Sequence, residues 1–345
     1  MKLHVYDLSE TEEWDKVVRS FDNYDVYWLS GYVRAFQLHG DGEPLLFYYE
    51  DKETKGINVV FKRDISCDSH FKNIIKSSQL YDFASPYGYG GWIIEGSERK
   101  NLFETYVEWC RGNNIVSEFV RFHPVIGNHA DCDGDYEVIS LGNTVTLDIS
   151  SPEVIWSNIT SKNRNVIRKA MKNGVKIYNG RYPQVFEAFK AIYDETMRKD
   201  NAEEYYYFDN EFYNSILNDL PHNSQLFYAE VDGEIISAAI MLFANGKINY
   251  HLSGSKREYS HLAATNLLLY ETALWGCENG FKSLYLGGGV GSGEDSLYKF
   301  KKSFYRLDDV KCFHIGKKIF MKDKYEELLE LRGTIDSGFF PQYRA

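Results

Sequence analysis

Tyr250 to Phe304 reads YHLSGSKREYSHLAATNLLLYETALWGCENGFKSLYLGGGVGSGEDSLYKFKKSF. A β-type segment leads through a polar loop into a helical pattern, Thr265–Glu278, with Leu267, Leu268, Tyr270, Leu274 and Trp275 apolar and Gly280 as its stop. A second β-type segment, Ser283–Leu286, runs into glycines and then a short basic helix. A strand–loop–helix–strand unit sets a loop and a helix N-terminus beside two strand ends. Backbone N–H groups there can hold an anion or a carbonyl oxygen. The Gly287-Gly288-Gly289 run allows a tight turn, but no Gly-Lys-Ser/Thr element follows, so no phosphate-loop fingerprint is complete.

Upstream, Gln225–Val231 and Glu234–Phe243 form an expected hairpin about Asp232-Gly233, and Lys247–Ser253 a third strand. Ser150-Ser151-Pro152-Glu153 has the chemistry of a helix start, a serine cap with an early proline, and marks the expected domain boundary. Between Val154 and Phe186 stand Lys162, Arg164, Arg168, Lys169, Lys172, Lys176 and Arg181 with no acidic residue, in a chain of net charge -11. Arg164, Arg168 and Lys172 share one helical face at i, i+4, i+8. Like charges at that spacing repel, so a phosphate-bearing ligand or a solvated face is expected there.

In the first half, Leu45–Tyr49 and Ile57–Lys62 read as a hairpin, Glu98–Arg111 as a helix and Val116–Phe122 as a strand. Ser85-Pro86-Tyr87-Gly88-Tyr89-Gly90-Gly91 is a turn that either presents Tyr87 and Tyr89 to a ligand or is an ordinary turn with two exposed tyrosines. The acidic loop Asn128–Asp135 lacks the later glutamate of a calcium loop, since position 142 is glycine.

The length of 345 residues favours two domains. The acidic net charge disfavours general nucleic-acid coating. Five scattered cysteines without a CxxC spacing indicate neither a disulfide framework nor a zinc site. No apolar leader and no bilayer-length segment is visible, so a cytoplasmic protein without a membrane span is expected. His251 lies on a β-type segment, where a near-neutral pKa would suit a proton acceptor. Glu294 and Asp295 follow the glycine run and suit either a base or a helix cap.

Three segments carry a resemblance. SPYGYGG (Ser85–Gly91), SKNRNVIRKAMKNGV (Ser161–Val175) and LYKFKKSF (Leu297–Phe304) are similar, in this order, to segments of the FemABX aminoacyltransferases and their BioF2-like relatives of the GNAT superfamily. The resemblance implies an α/β (α+β) fold of two tandem GNAT-like domains, 1–149 and 150–320. Each is a mixed, mostly antiparallel sheet flanked by helices, and a tail, 321–345, packs on the first. It implies transfer of an aminoacyl or small acyl group to an amine of a cell-wall or polysaccharide precursor. No cofactor is held; the co-substrate is aminoacyl-tRNA or acyl-CoA.

By the same resemblance Lys301 stabilises charge at the reacting carbonyl and Lys299 contacts substrate. Arg164 and Arg168 face precursor phosphates or carboxylates, and Tyr87 and Tyr89 border the acceptor groove. A helix through Leu297–Arg306 would turn Leu297, Phe300 and Phe304 inward and leave Lys301 on its flank. The loop Arg257–Ala264 departs from CoA-using relatives in having no glycine, which keeps backbone N–H groups away from a pyrophosphate. No heptads for a coiled-coil arm are present. Two alternatives remain open: acetyl-CoA-dependent acetylation of a nucleotide- or lipid-linked amino sugar, and a non-catalytic precursor-binding module.

Overall fold

The structure, a computed structural model, describes residues 2–333 and 338–345. The chain divides into two compact units, 1–141 with 313–345, and 142–312. The cut expected at 149/150 thus falls at 141/142, and that expected at 320/321 falls at 312/313. Both lie inside strands, where composition gives no signal of a boundary.

The first unit opens with β1 (Lys2–Tyr6), α1 (Thr11–Val18), α2 (Ser30–His39), β2 (Glu43–Glu50), β3 (Thr54–Asp64), β4 (Tyr81–Ala84), β5 (Ile93–Gly96), α3 (Lys100–Gly112) and β6 (Ile115–Arg121). The chain leaves it along β7 (Glu137–Asp148). The second unit continues with α4 (Pro152–Asn158), α5 (Ser161–Lys172), β8 (Lys176–Gly180), α6 (Pro183–Lys199), α7 (Asn210–Asp219), β9 (Ser224–Val231), β10 (Glu234–Ala244), β11 (Lys247–Ser255), α8 (Ala264–Glu278), β12 (Ser283–Gly287) and α9 (Ser296–Lys302). β13 (Lys311–Ile319) returns the chain to the first unit, which α10 (Lys322–Arg332) and the last residues complete.

Each unit repeats one plan. In the first, strands run in the order β1-β2-β3-β4-β6-β13, with β5 also on β3; all pairs are antiparallel except β4 with β6. In the second the order is β7-β12-β11-β10-β9-β8, antiparallel except β11 with β12. Parallel neighbours need a crossover, and α3 and α8 supply it. These are the mixed, mostly antiparallel sheets with flanking helices that the α/β expectation describes.

Local chemistry explains the elements that position the site. Asp232 and Gly233 both take positive φ, which fits the tight turn joining β9 to β10. Ser151 Oγ accepts from Val154 N–H with Pro152 at the head of α4, and Thr160 Oγ1 accepts from Asn163 N–H at the head of α5. The core of this unit joins Ile155, Ile167, Ala229, Ile248, Leu268 and Leu284 with Tyr298 and Phe304 of the basic segment.

The first unit is knit by a buried carboxylate. Glu118 on β6 is wholly buried and accepts from Asn58 Nδ2 (2.9 Å), Tyr106 Oη (3.1 Å) and Tyr136 Oη (2.6 Å). Burial pushes its pKa up against these donors and against the pull of Lys318. The chain end is a second tie: Tyr343 packs with Ile65, Phe71 and Val116. Its hydroxyl reaches Asp82 (3.0 Å), which also takes Arg63 Nε (2.8 Å) and Arg344 Nε (2.5 Å). In the acidic loop Asp131 pairs with Arg99 at 2.7 Å.

Glu118→Ala strands three buried donors, so a loss of about 3–5 kcal/mol is expected in urea or thermal unfolding. A loss below about 1 kcal/mol would contradict the network.

Candidate active site

β11 and β12 pair in parallel as Lys247–Ser283, Ile248–Leu284 and Asn249–Tyr285. Two residues beyond the last pair stand His251 on one strand and Gly287 on the other. On its far side β11 bonds β10, and the register steps from Met241–Tyr250 to Ile240–Leu252. His251 is therefore the extra residue of a bulge, a common device for re-aiming a side chain.

After Gly287 the chain turns back on itself. Gly287 has φ +79°, a left-handed conformation that favours glycine, and a Cβ there would lie 3.4 Å from Lys301 Nζ. Any Cβ at Gly289 would lie 2.2 Å from Gly293 O and 2.3 Å from Asp295 Oδ1. Glycine is thus required by conformation at one position and by space at the other. Asp295 then caps α9: Oδ1 accepts from Tyr298 N–H (2.8 Å), while Oδ2 accepts from Val290 N–H (3.1 Å).

Lys301 lies on the inner face of α9 with Tyr298, and only 9% of its surface is exposed. Its Nζ donates to Gly288 O at 2.7 Å. Desolvation lowers its pKa to about 8, while Asp295 pulls the other way. The expected flank position is corrected: α9 turns Tyr298 and Lys301 inward and leaves Leu297 38% exposed. Tyr305 and Phe304, just past the helix, are buried as well.

His251 departs from its expectation too. The residue is half-buried with Nε2 out of solvent, and desolvation drives the pKa down to about 3 rather than leaving it near neutral. It stays an uncharged imidazole at physiological pH and is a feeble base. Asp295 is a poor base for another reason: its hydrogen bond from Tyr298 N–H, chief among several, holds its pKa below the usual carboxylate range.

The basic helix divides. Arg164 Nη1 donates to Ile159 O (2.7 Å) and Trp156 O (3.2 Å), carbonyls that α4 leaves open at its C-terminus. One guanidinium nitrogen of this half-buried side chain is thus engaged by backbone, where a precursor contact was expected. Arg168 is exposed, with its guanidinium carbon 5.0 Å from the Trp156 ring centre and Nη1 3.1 Å from Asn165 Oδ1. Lys299 is exposed on the outer face of α9.

Tyr87 and Tyr89 belong to the first unit. Tyr87 stacks on Phe36 (5.4 Å between ring centres), and its carbonyl accepts from Tyr32 Oη at 2.5 Å. Tyr89 lies edge-on to His123 (5.0 Å), Tyr27 (5.2 Å) and Phe313 (5.8 Å). Both rings take part in packing. Lys301 and His251 are thus brought to one end of the β11/β12 pair; Lys299, Arg164 and Arg168 lie elsewhere on the second unit.

The loop before α8 reaches a left-handed conformation without glycine: Ala263 has φ 54°, and no side chain caps the helix. Glu234 pins this loop through Lys256 Nζ (2.5 Å) and Tyr259 Oη (2.6 Å). Sequence reading missed this clamp, whose only signal was a charge placed just after the Asp-Gly turn.

Residues 161–302 match the family described as an acetyltransferase (GNAT) domain. A domain of that class makes the protein an acyltransferase. The crystal structure of FemX superposes with a TM-score of 0.69 at 13% identity, over 95% of this chain and 99% of that one. The C-terminal domain of a protein assigned as a lysylphosphatidylglycerol synthetase, from Agrobacterium fabrum, gives 0.56 at 14% identity, over 90% and 92%. L-PGS from Bacillus licheniformis gives 0.51 at 14% identity, over 83% and 86%. At such identities these likenesses carry the fold. No curated sequence matches the chain. Among the described residues no helix is long and apolar enough to cross a membrane.

Arg164→Ala leaves carbonyls of α4 without their donor and is expected to cost about 1–3 kcal/mol in chemical denaturation. Arg168→Ala should stay within about 0.5 kcal/mol of wild type. Equal losses would refute the division of the basic helix.

Proposed function

We propose that the protein forms an amide, transferring an aminoacyl or small acyl group to an amine of a cell-wall precursor or amino sugar. The observation that carries this is Lys301, a cation held in a desolvated place at a strand end, donating to a backbone carbonyl. Attack of a neutral amine on an ester or thioester carbonyl builds negative charge on oxygen. A fixed cation there counts for more than in water, because little solvent competes and little reorganises. The amine nitrogen bonds to the carbonyl carbon, the ester C–O or thioester C–S bond breaks, and the proton lost by the amine passes through solvent to the departing oxygen or sulfur, which leaves as the free alcohol or thiol. His251, uncharged and weakly basic, is assigned to lining rather than proton transfer.

An aminoacyl group carried by tRNA is the first choice of donor, supported by the likeness to FemX. The exposed cations Lys162, Arg168, Lys169 and Lys172 on α5 agree with a phosphate-bearing substrate. Acyl-CoA is the second reading, favoured by the uncapped head of α8 behind Ala263. Tyr87 and Tyr89 are proposed to border the acceptor, and Lys299 to meet substrate at the surface. Both donors are cytoplasmic metabolites, so the reaction is proposed for the cytoplasm, with no bound cofactor.

The test incubates the full chain with charged tRNA or acetyl-CoA, together with muropeptide precursors and amino sugars, and reads products by mass. Gain of one acyl residue is expected, and Lys301→Ala should lower the rate about 10²–10³-fold. Precursor binding without product from any donor would overturn the reading in favour of a binding module.

Lys301 is cationic below about pH 8 and loses its proton above it. The rate per neutral acceptor amine should therefore fall as pH rises through that value. Lys301→Arg, cationic throughout, should flatten the fall whatever its absolute rate; a fall that persists in that variant would exclude Lys301 as its source.

A further inference from the structure

We propose that Asp295 is the positioning residue of this site: its two carboxylate oxygens clamp the glycine loop to the head of α9, and its charge holds the Lys301 ammonium at Gly288. The inference rests on the role given to Lys301 above.

The geometry is specific. Oδ1 takes the N–H of Tyr298 and Oδ2 that of Val290, so one side chain joins the turn after β12 to the helix that bears Lys301. Gly289 faces that carboxylate so closely that no side chain fits between them. The carbonyl accepting from Lys301 belongs to Gly288, the residue beside Gly289. The clamp therefore fixes both ends of the Lys301 hydrogen bond: the helix that carries the donor and the turn that carries the acceptor. A capping residue alone needs one oxygen. Here the second oxygen and the negative charge are used as well, since Asp295 opposes the desolvation that would strip the proton from Lys301.

Substitutions separate the three contributions. Serine keeps an acceptor for Tyr298 N–H but has neither the second oxygen nor the charge. Asparagine keeps one carbonyl oxygen and sets an NH₂ group where the other stood. Glutamate keeps the charge and both oxygens on a longer arm.

The experiment needs no substrate. The full-length protein is labelled with trace acetic anhydride between pH 6 and 10, and acetylation of Lys301 is read by peptide mass spectrometry against an exposed lysine such as Lys299. Wild-type Lys301 should titrate near pH 8. In Asp295→Asn and Asp295→Ser the curve should move to lower pH, raising Lys301 labelling at pH 7 roughly threefold. Asp295→Glu should restore much of the wild-type curve, and circular dichroism should show all three variants folded. Curves for Asn and Ser that overlie wild type in folded protein would overturn the proposal. Should either variant fail to fold, the other and the Glu rescue decide it. If Lys301→Ala keeps full acyl transfer, the catalytic reading fails while the labelling shift can still stand. If Lys301→Ala abolishes transfer and the Asp295 variants do not shift the curve, this inference alone fails.

Discussion

A lysine ammonium kept out of water and hydrogen-bonded to one backbone carbonyl is the constraint on which the second unit turns. Burying such a cation is costly unless its protons find fixed partners. The partner is Gly288 O, and a carbonyl can stand there only because the chain leaves β12 through a left-handed glycine and folds back within a few residues. The glycine run, the aspartate cap and the inward face of α9 are parts of one arrangement. An acyl carbonyl placed at that strand end would meet a cation that solvent does little to screen.

The frame around this arrangement is a mixed sheet with one parallel pair, made once in each unit. In the second unit the bulge at His251 shifts the β10 register by one residue at the level where β12 gives way to glycine, and antiparallel pairing then resumes at Ile240–Leu252. The first unit uses the same plan but places a satisfied carboxylate, Glu118, at its centre instead of a chemically poised group. Two copies of a plan have thus been filled differently, one for cohesion and one around Lys301.

Much of this was legible from local rules. The Asp232-Gly233 hairpin, the Ser151 cap with Pro152, the α8 stripe and the order of the basic segments all follow from turn chemistry and periodicity. What escaped depended on contacts distant in sequence. Leu297 and Phe300 suggested the inner face of α9, but Tyr298 and Lys301 took it, because the glycine turn offers a carbonyl on that side. Nothing in the sequence marked that Arg164 Nη1 would meet the open carbonyls of Trp156 and Ile159, because these depend on where α4 ends. His251 looked titratable because a sequence does not show how deeply a bulge sinks its side chain. Boundaries at 141/142 and 312/313 fall within strands and have no compositional mark.

The path of the chain between the units sets an order of assembly. Residues 142–312 are contiguous, so every strand of their sheet is available once they have left the ribosome. The first unit is discontinuous. Its first 141 residues emerge early, yet β13, the partner of β6, and Tyr343, which fills the space between Ile65, Phe71 and Val116, are made only after residues 142–312. Until then β6 lacks a neighbour on one side, and Asp82 lacks Tyr343 and Arg344. The unit begun first is therefore completed after the second, and residues 142–312, which hold the acetyltransferase-type domain, can mature before it.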